Sequence, residues 1–325
     1  MELECRADLA KHQYTLLEEI GSGGFSTVYL ISSNRYVDQF FVAKAINLIY
    51  CKNKEKYDTV KTEVSALIGI RHPNIISIYD HFRENDIYYI VLEYCPNGSL
   101  GDYIKRHGTV PTYNLIKFAK QILEALQFCK NIGIAHRDIK PCNILLDKYN
   151  RLKLADFGFA QKLTNRKVTS FVGSLHYLPP EVLHMQSYDP VKADVWSLGI
   201  TFFAMATGRL PFYGNNPTQL LSNISTHFVV IPDDVDKGFA NVIRSMLKIE
   251  PKERASYEEI LKSPVFRKSN KDTKVVDQRP RFVFPYQSQL KSSISLPDSM
   301  NRYSPVVSKK RKILASSAFT FPFVV

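Results

Sequence analysis

Eight consecutive residues, His136-Arg137-Asp138-Ile139-Lys140-Pro141-Cys142-Asn143, gather an acid, two cations and an amide acceptor into one short run. Eighteen residues after Asp138 stands Asp156-Phe157-Gly158. Asp156 and Asn143 carry hard oxygen donors of the kind Mg²⁺ prefers. Upstream lies Gly21-Ser22-Gly23-Gly24-Phe25-Ser26-Thr27-Val28. Glycines let backbone N–H groups come close to phosphate oxygens, although a plain hairpin turn is the simpler reading of the same residues. The sequence that follows decides the geometry. A dinucleotide-binding or Walker-type loop opens a helix, whereas Ser26–Ile31 is a strand signature, so these glycines belong to a hairpin. Val42-Ala43-Lys44 places an amine in an apolar strand, which is unfavourable unless the amine has partners. Nineteen residues on, Glu63 falls in an expected helix. Taken singly, Lys44 and Glu63 read as solvated surface charges; they gain weight from the rest of the set.

The elements that must position these groups fall into two regions. Residues 14–95 are strand-rich: 14–20, 26–31, 40–46, 75–82 and 87–94 are β-branched and aromatic runs separated by Gly and polar turns. Between them, residues 56–70 repeat apolar positions at Val60, Val64, Leu67 and Ile68 with helical spacing. After residues 95–99 the pattern becomes helical. Residues 113–133 form an amphipathic helix ending at Gly133, and 189–208 are nearly apolar all round from Val195 onward, as in a buried core helix. Further helical stretches are expected near 217–226, 237–248 and 256–262. The spacing therefore predicts an α+β fold with a small sheet-rich lobe (14–95) carrying one helix and a larger, mostly helical lobe (96–266). Residues 1–13 are an N-terminal extension, and 267–325 a Ser-, Pro- and Lys-rich tail, largely disordered or docked.

Composition bounds the setting. The formal net charge of the 325 residues is +12. Residues 267–325 hold twelve Lys/Arg against three Asp/Glu, so the tail carries +9 and the rest of the chain +3. The basicity belongs to the tail and does not make the main domain a nucleic-acid binder. Five scattered cysteines without a CxxC pair fit a reducing compartment. Residues 1–13 lack a basic start followed by an apolar run, so no secretory signal is expected. No run of about 18 apolar residues predicts a membrane span.

The ordered set resembles the eukaryotic protein kinases over residues 14–266: Gly21/Gly23, Lys44, Glu63, His136–Asn143, Asp156–Gly158, Pro180-Glu181, Asp194–Gly199 and Arg254 stand in the family's order. The runs 156–160, 173–181 and 194–199 look most like the calcium/calmodulin-dependent and AMP-activated-kinase-like group, and Lys140 like the serine/threonine branch. The resemblance implies transfer of the ATP γ-phosphoryl group to protein Ser/Thr hydroxyls, with ATP and Mg²⁺ as cofactors. It makes Asp138 the acceptor of the hydroxyl proton, Lys140 the partner of the γ-phosphate, and Lys44, held by Glu63, the partner of the α/β-phosphates. Asn143 and Asp156 hold the metal. Ile20, Gly21, Gly23, Val28, Ala43, Glu93, Cys95 and Leu145 surround the nucleotide, with Val28 and Ala43 above the adenine, Leu145 below, and Leu92 at the back as gatekeeper. Glu181 with Arg254 is a buried anchor, Asp194 braces the catalytic loop, and Leu67, Ile78, His136 and Phe157 stack between the lobes.

Several positions depart from the family pattern. Ser26 replaces a third lid glycine, and Pro179 an alanine. Ser99 and Cys142 are uncharged where basic-directed relatives carry acids, so no strong demand for Arg before the acceptor is expected. Phe171, Leu175 and Leu178 predict an apolar residue after it. In the activation segment, 156–181, Ser174 aligns with the hydroxyl that bonds the catalytic Asp and Lys. Ser170, or its neighbour Thr169, aligns with an activating phosphosite facing Arg137. Two further phosphate partners are replaced by Thr59 and Gln161. In the tail, Lys309–Lys312 could serve nuclear import, nucleic-acid contact or acidic-lipid contact, or be an ordinary basic run. Ser304-Pro305 is a candidate phosphosite, and 318–325 an apolar segment able to dock on the kinase body. A cytoplasmic, also nuclear, monomer with a protein substrate and an upstream activating kinase is expected. The competing reading is a pseudokinase scaffold that binds nucleotide or partners without turnover; its mark would be loss of Lys44, Asp138, Asn143 or Asp156, and all four are present.

Overall fold

The structure is a computed structural model that describes residues 2–23, 26–51, 68–163 and 168–267. The small lobe is a five-stranded antiparallel sheet in the order β1-β2-β3-β5-β4, formed by Tyr14–Ser22 (β1), Ser26–Ser33 (β2), Tyr36–Asn47 (β3), Ile78–Glu84 (β4) and Ile87–Glu93 (β5). The β1–β2 connection is the glycine hairpin, closed by Gly23 N–H donating to Ser26 O at 2.8 Å. Strand alternation gives the sheet two faces. Tyr29, Ile31, Phe41, Ala43, Ala45, Tyr89 and Val91 pack into one buried cluster, together with Cys5 and Leu9 of helix α1, Glu2–Lys11. The opposite face carries Lys44 and turns towards the large lobe.

The helix α1 lies in the segment read from the sequence as a plain extension. Asp8 is buried on it and accepts from Tyr89 Oη at 3.1 Å, while Lys11 and His12 both bond Glu84 of β4, at 3.0 and 2.9 Å. The run 75–82 also differs from expectation. Ile75 and Ile76 do not enter the sheet; Ile75 bridges Leu154, Ile76 N–H donates to Leu154 O at 2.9 Å, and both side chains join the large-lobe core. The helix expected over 56–70, with Thr59, Glu63 and Leu67, lies outside the described residues, as do Thr164 and the tail features.

The large lobe contains α2 (Leu100–His107), α3 (Thr112–Asn131), α4 (Pro180–Leu183), α5 (Pro190–Thr207), α6 (Pro217–Thr226), α7 (Lys237–Met246), α8 (Tyr257–Leu261) and α9 (Pro264–Arg267). Helix α5 starts where Asp189 caps Val191 N–H, with Pro190 at its first position, and ends at Gly208 in the left-handed conformation. It is buried nearly all round, which accounts for its lack of a polar face. Two short ribbons complete the lobe: β6 (Ile134–Ala135) with β9 (Gln161–Lys162), and β7 (Ile144–Leu146) with β8 (Leu152–Leu154). Ile78 and Leu92 pack on both the large-lobe core and the small Ile46–Ile90 cluster, and so join the lobes. Among the described residues no helix is long and apolar enough to cross a membrane.

Candidate active site

The catalytic run occupies the loop between β6 and β7, and Asp194, near the start of α5, fixes its shape. The Asp194 carboxylate accepts His136 N–H and Arg137 N–H, both at 2.7 Å. Burial pushes this carboxyl up to about 7, against the pull of the two N–H donors. Arg137 has φ +71° and Asp156 φ +62°, left-handed values that are strained for residues carrying a Cβ. His136 is buried, and burial keeps its ring neutral by lowering its pKa. Its Nδ1 accepts Asp138 N–H at 3.3 Å, so Nε2 carries the proton and donates to Ala155 O at 3.0 Å. The ring meets Phe157 edge-on with centroids 4.6 Å apart.

Asp138 sits at the centre of a closed polar network. Its Oδ1 accepts Ser174 N–H at 3.0 Å and Ser174 Oγ–H at 2.9 Å. Its Oδ2 accepts Asn143 Nδ2 at 2.9 Å and lies 3.0 Å from Lys140 Nζ. Lys140 Nζ also donates to Ser174 Oγ at 2.7 Å. Asn143 spends its amide donors on Asp138 O and Oδ2, leaving its carbonyl oxygen as the outward donor atom. From the small lobe, Lys44 Nζ reaches Asp156 Oδ1 at 3.4 Å. Burial would raise the Asp156 carboxyl, but the charges of Lys44 and Lys140 hold it below the ordinary value. The oxygens of Asn143 and Asp156 are hard donors from one amide and one carboxylate. They fit Mg²⁺, which takes one or two protein ligands and fills its shell with phosphate oxygens and water.

Gly21 pairs with Val28 across the hairpin, Val28 stands opposite Lys44, and Leu92 opposite Val42. Ile20 is 43% exposed at the hairpin mouth, and Leu145 bridges Ser99 beneath the hinge. Among the described residues Cys95 N–H donates to no acceptor, which leaves a hinge donor for an adenine. Ala43 is a correction. It is fully buried in the cluster under α1, on the face of β3 opposite Lys44. Strand side chains alternate, so the residue two before Lys44, Val42, shares its face, and the residue one before it cannot.

The remaining predicted residues stand together in the large lobe. Arg254 forks onto Glu181 through two 2.7 Å bonds, both residues being buried, and its guanidinium lies 5.0 Å from the Trp196 ring. Arg137 Nη2 donates to Ser170 Oγ at 2.6 Å, and Nη1 bonds Gln161. Thr169 is exposed beside Ser170, while Phe171 and Leu175 are half-buried and Leu178 is buried. Ser99 caps α2 in a reciprocal box with Asp102, which consumes that carboxylate locally.

Two positions escaped the sequence reading. Lys153, on β8, is buried and pairs with the hinge residue Glu93, Nζ to Oε1 at 2.7 Å. A charge between Leu152 and Leu154 was the available signal. Gly173 has φ +111°, and a Cβ there would stand 2.9 Å from Arg137 O and from Leu178 Cδ2. Glycine is thus required where the activation segment passes the catalytic loop.

A hairpin lid over a β-strand lysine, a carboxylate loop braced by the core helix, and an activation segment anchored by a buried ion pair define a bilobal phosphotransferase of the protein kinase class. The protein kinase domain family matches residues 14–266, and the chain belongs to that family. It is 37% identical over 259 residues to serine/threonine-protein kinase ATG1c of Arabidopsis thaliana, covering 77% of this chain and 35% of the relative. It is 36% identical over 229 residues to serine/threonine-protein kinase GIN4 of Saccharomyces cerevisiae, covering 68% and 20%. Against 3-phosphoinositide-dependent protein kinase B of Dictyostelium discoideum it is 34% identical over 279 residues, covering 83% and 30%. The chain thus spans about a third or less of the length of these relatives. Within the family it stands with the serine/threonine kinases of the calcium/calmodulin-dependent and AMP-activated-kinase-like group.

Proposed function

We propose that the chain transfers the γ-phosphoryl group of ATP to serine and threonine hydroxyls of proteins. The observation that carries this is the network around Asp138: Ser174, Lys140 and Asn143 bond and orient its carboxylate, while Lys44 of the small lobe pairs with Asp156. In the reaction the acceptor hydroxyl oxygen forms a bond to the γ-phosphorus, the bond from that phosphorus to the β,γ-bridging oxygen breaks, ADP leaves, and the hydroxyl proton passes to Asp138. Lys140 offsets negative charge on the transferred group, and Lys44 orients the α/β-phosphates. Mg²⁺ held by Asn143 and Asp156 would supply charge neutralisation of the phosphates.

The activation segment supports control at Ser170. Its hydroxyl already faces Arg137, and Arg137 Nε is buried with no acceptor among the described residues. A phosphate there adds about −1.5 to −2 charge and three acceptor oxygens. Gln161 takes the second arm of Arg137, so the phosphate would compete with that amide and meet one arginine. We further propose that the protein is cytoplasmic and that the basic run Lys309–Lys312 gives it access to the nucleus. Incubation of the full chain with Mg·ATP and a degenerate peptide library tests the function. Phosphorylation on Ser and Thr is expected, with an apolar residue following the acceptor and no dominant Arg before it. Nucleotide binding without labelling of any polypeptide would instead favour the scaffold reading.

A further inference from the structure

After α6, whose C-terminal cap His227 is extended, Phe228–Ile231 belong to no helix and no sheet. Exposure along these four alternates: Phe228 is 95% and Val230 74% exposed, whereas Val229 packs on the large-lobe core and Ile231 is buried. This is the period of a strand with one face on a core. Among the described residues, no backbone group of these four forms a hydrogen bond. Tyr213, also mostly exposed, is tied to the same helix by Asn223 Nδ2 donating to its carbonyl at 2.6 Å. An unpaired strand with apolar side chains turned outward is a template for another extended segment.

The chain itself holds a segment of matching pattern. In Ala318-Phe-Thr-Phe-Pro-Phe-Val-Val325, phenylalanines at 319, 321 and 323 recur every second residue, so an extended conformation puts three rings on one face. Pro322 falls between them. Odd-numbered residues would direct their N–H and C=O groups to a partner strand, and Pro322, which has no N–H, would lie on the outer side where proline is tolerated. No residue from Leu314 to Val325 has a charged side chain, although the tail before it is basic. The fifty residues 268–317 intervene. A random chain of fifty residues spans about 40 Å root-mean-square, against a radius of gyration of about 18 Å for a domain of this size. The segment can therefore reach the α6 flank at an effective concentration of ~1 mM.

We propose that residues 319–323 add as a strand to Phe228–Ile231 of the same chain, seating their phenylalanines against Phe228 and Val230. The proposal is independent of the catalytic reading. Hydrogen exchange read by mass spectrometry on the full chain tests it, comparing wild type with the triple variant Phe319→Asp, Phe321→Asp, Phe323→Asp. Every second amide of residues 228–231 should exchange about tenfold more slowly in wild type, as expected when ~1 mM effective concentration meets a dissociation constant of ~0.1 mM. In Phe228→Ser/Val230→Ser, amides of 319–324 should lose protection, while unchanged exchange in β1–β5 and α5 reports an intact fold. Equal exchange at 228–231 in wild type and the triple variant overturns the proposal. Protection that fades on dilution, together with a dimer in sedimentation, overturns the same-chain occupant in favour of a second copy.

Discussion

Ser174 shows how much the site depends on single atoms. Its backbone N–H and hydroxyl both face Asp138 Oδ1, and its oxygen accepts from Lys140. Ser174→Ala removes the hydroxyl and leaves the N–H contact, so kcat should fall by about ten- to a hundredfold with little change in nucleotide affinity; ~1–3 kcal/mol is the usual scale for a lost charge-assisted bond. Steady-state kinetics with a peptide acceptor checks this. Buried charges obey a harsher rule, because removing one partner strands the other. Arg254→Ala leaves Glu181 unpaired beside the end of the activation segment and should cost about 3–5 kcal/mol in urea unfolding. Both Asp138 and Ser174 were legible from sequence, because their chemistry depends on local runs. Ala43, placed above the adenine by the resemblance, faces the other way, because strand alternation puts Val42 and not Ala43 on the Lys44 face. The Lys153–Glu93 pair was not legible, because sixty residues separate its members and the flanking Leu152 and Leu154, the one local sign of burial, do not name a partner.

At the scale of elements, α1 is the main surprise. Its sequence has few apolar residues, and Cys5 and Leu9 alone supply a buried apolar stripe one turn apart. It docks because Asp8 meets the Tyr89 hydroxyl and Lys11 and His12 meet Glu84, contacts that sequence periodicity does not register. Asp8→Ala should leave the buried Tyr89 hydroxyl with only the Cys5 thiol as partner and lower stability by about 1–3 kcal/mol, measured as a lower denaturant midpoint at unchanged m-value. The helices α3 and α8 are joined by Lys130 Nζ bonding Glu258 at 2.6 Å, and this bond holds the Glu258 carboxyl down at about 2. A carboxyl depressed in the folded state stabilises above its unfolded value near 4.5, and that contribution is lost as pH falls towards 2. Both side chains are partly solvated, so the effect on stability is a few tenths of a kcal/mol. NMR titration should find Glu258 near 2 in wild type and raised towards 4.5 in Lys130→Ala, where the Gln127 bond remains.

Across the whole molecule, the two lobes meet where residues far apart in sequence converge. Lys44 comes from β3, Asp156 from the end of β8, and Asp138 from the loop ahead of β7. Asp194 holds the catalytic loop from a helix buried on nearly all sides, so the most rigid part of the large lobe sets the reacting carboxylate. The order of motifs made this architecture readable, as did the apolar character of α5. The divided roles of 75–82 were hidden because Ile75 and Ile76 serve the other lobe. The central claim is that Asp138, aimed by this frame, takes the acceptor's proton. Its most direct test is the transfer rate of Asp138→Asn under saturating Mg·ATP, with nucleotide affinity measured alongside. A fall in kcat of about 10²–10⁴ with affinity retained is predicted. A rate within a few-fold of wild type at unaltered affinity would contradict it.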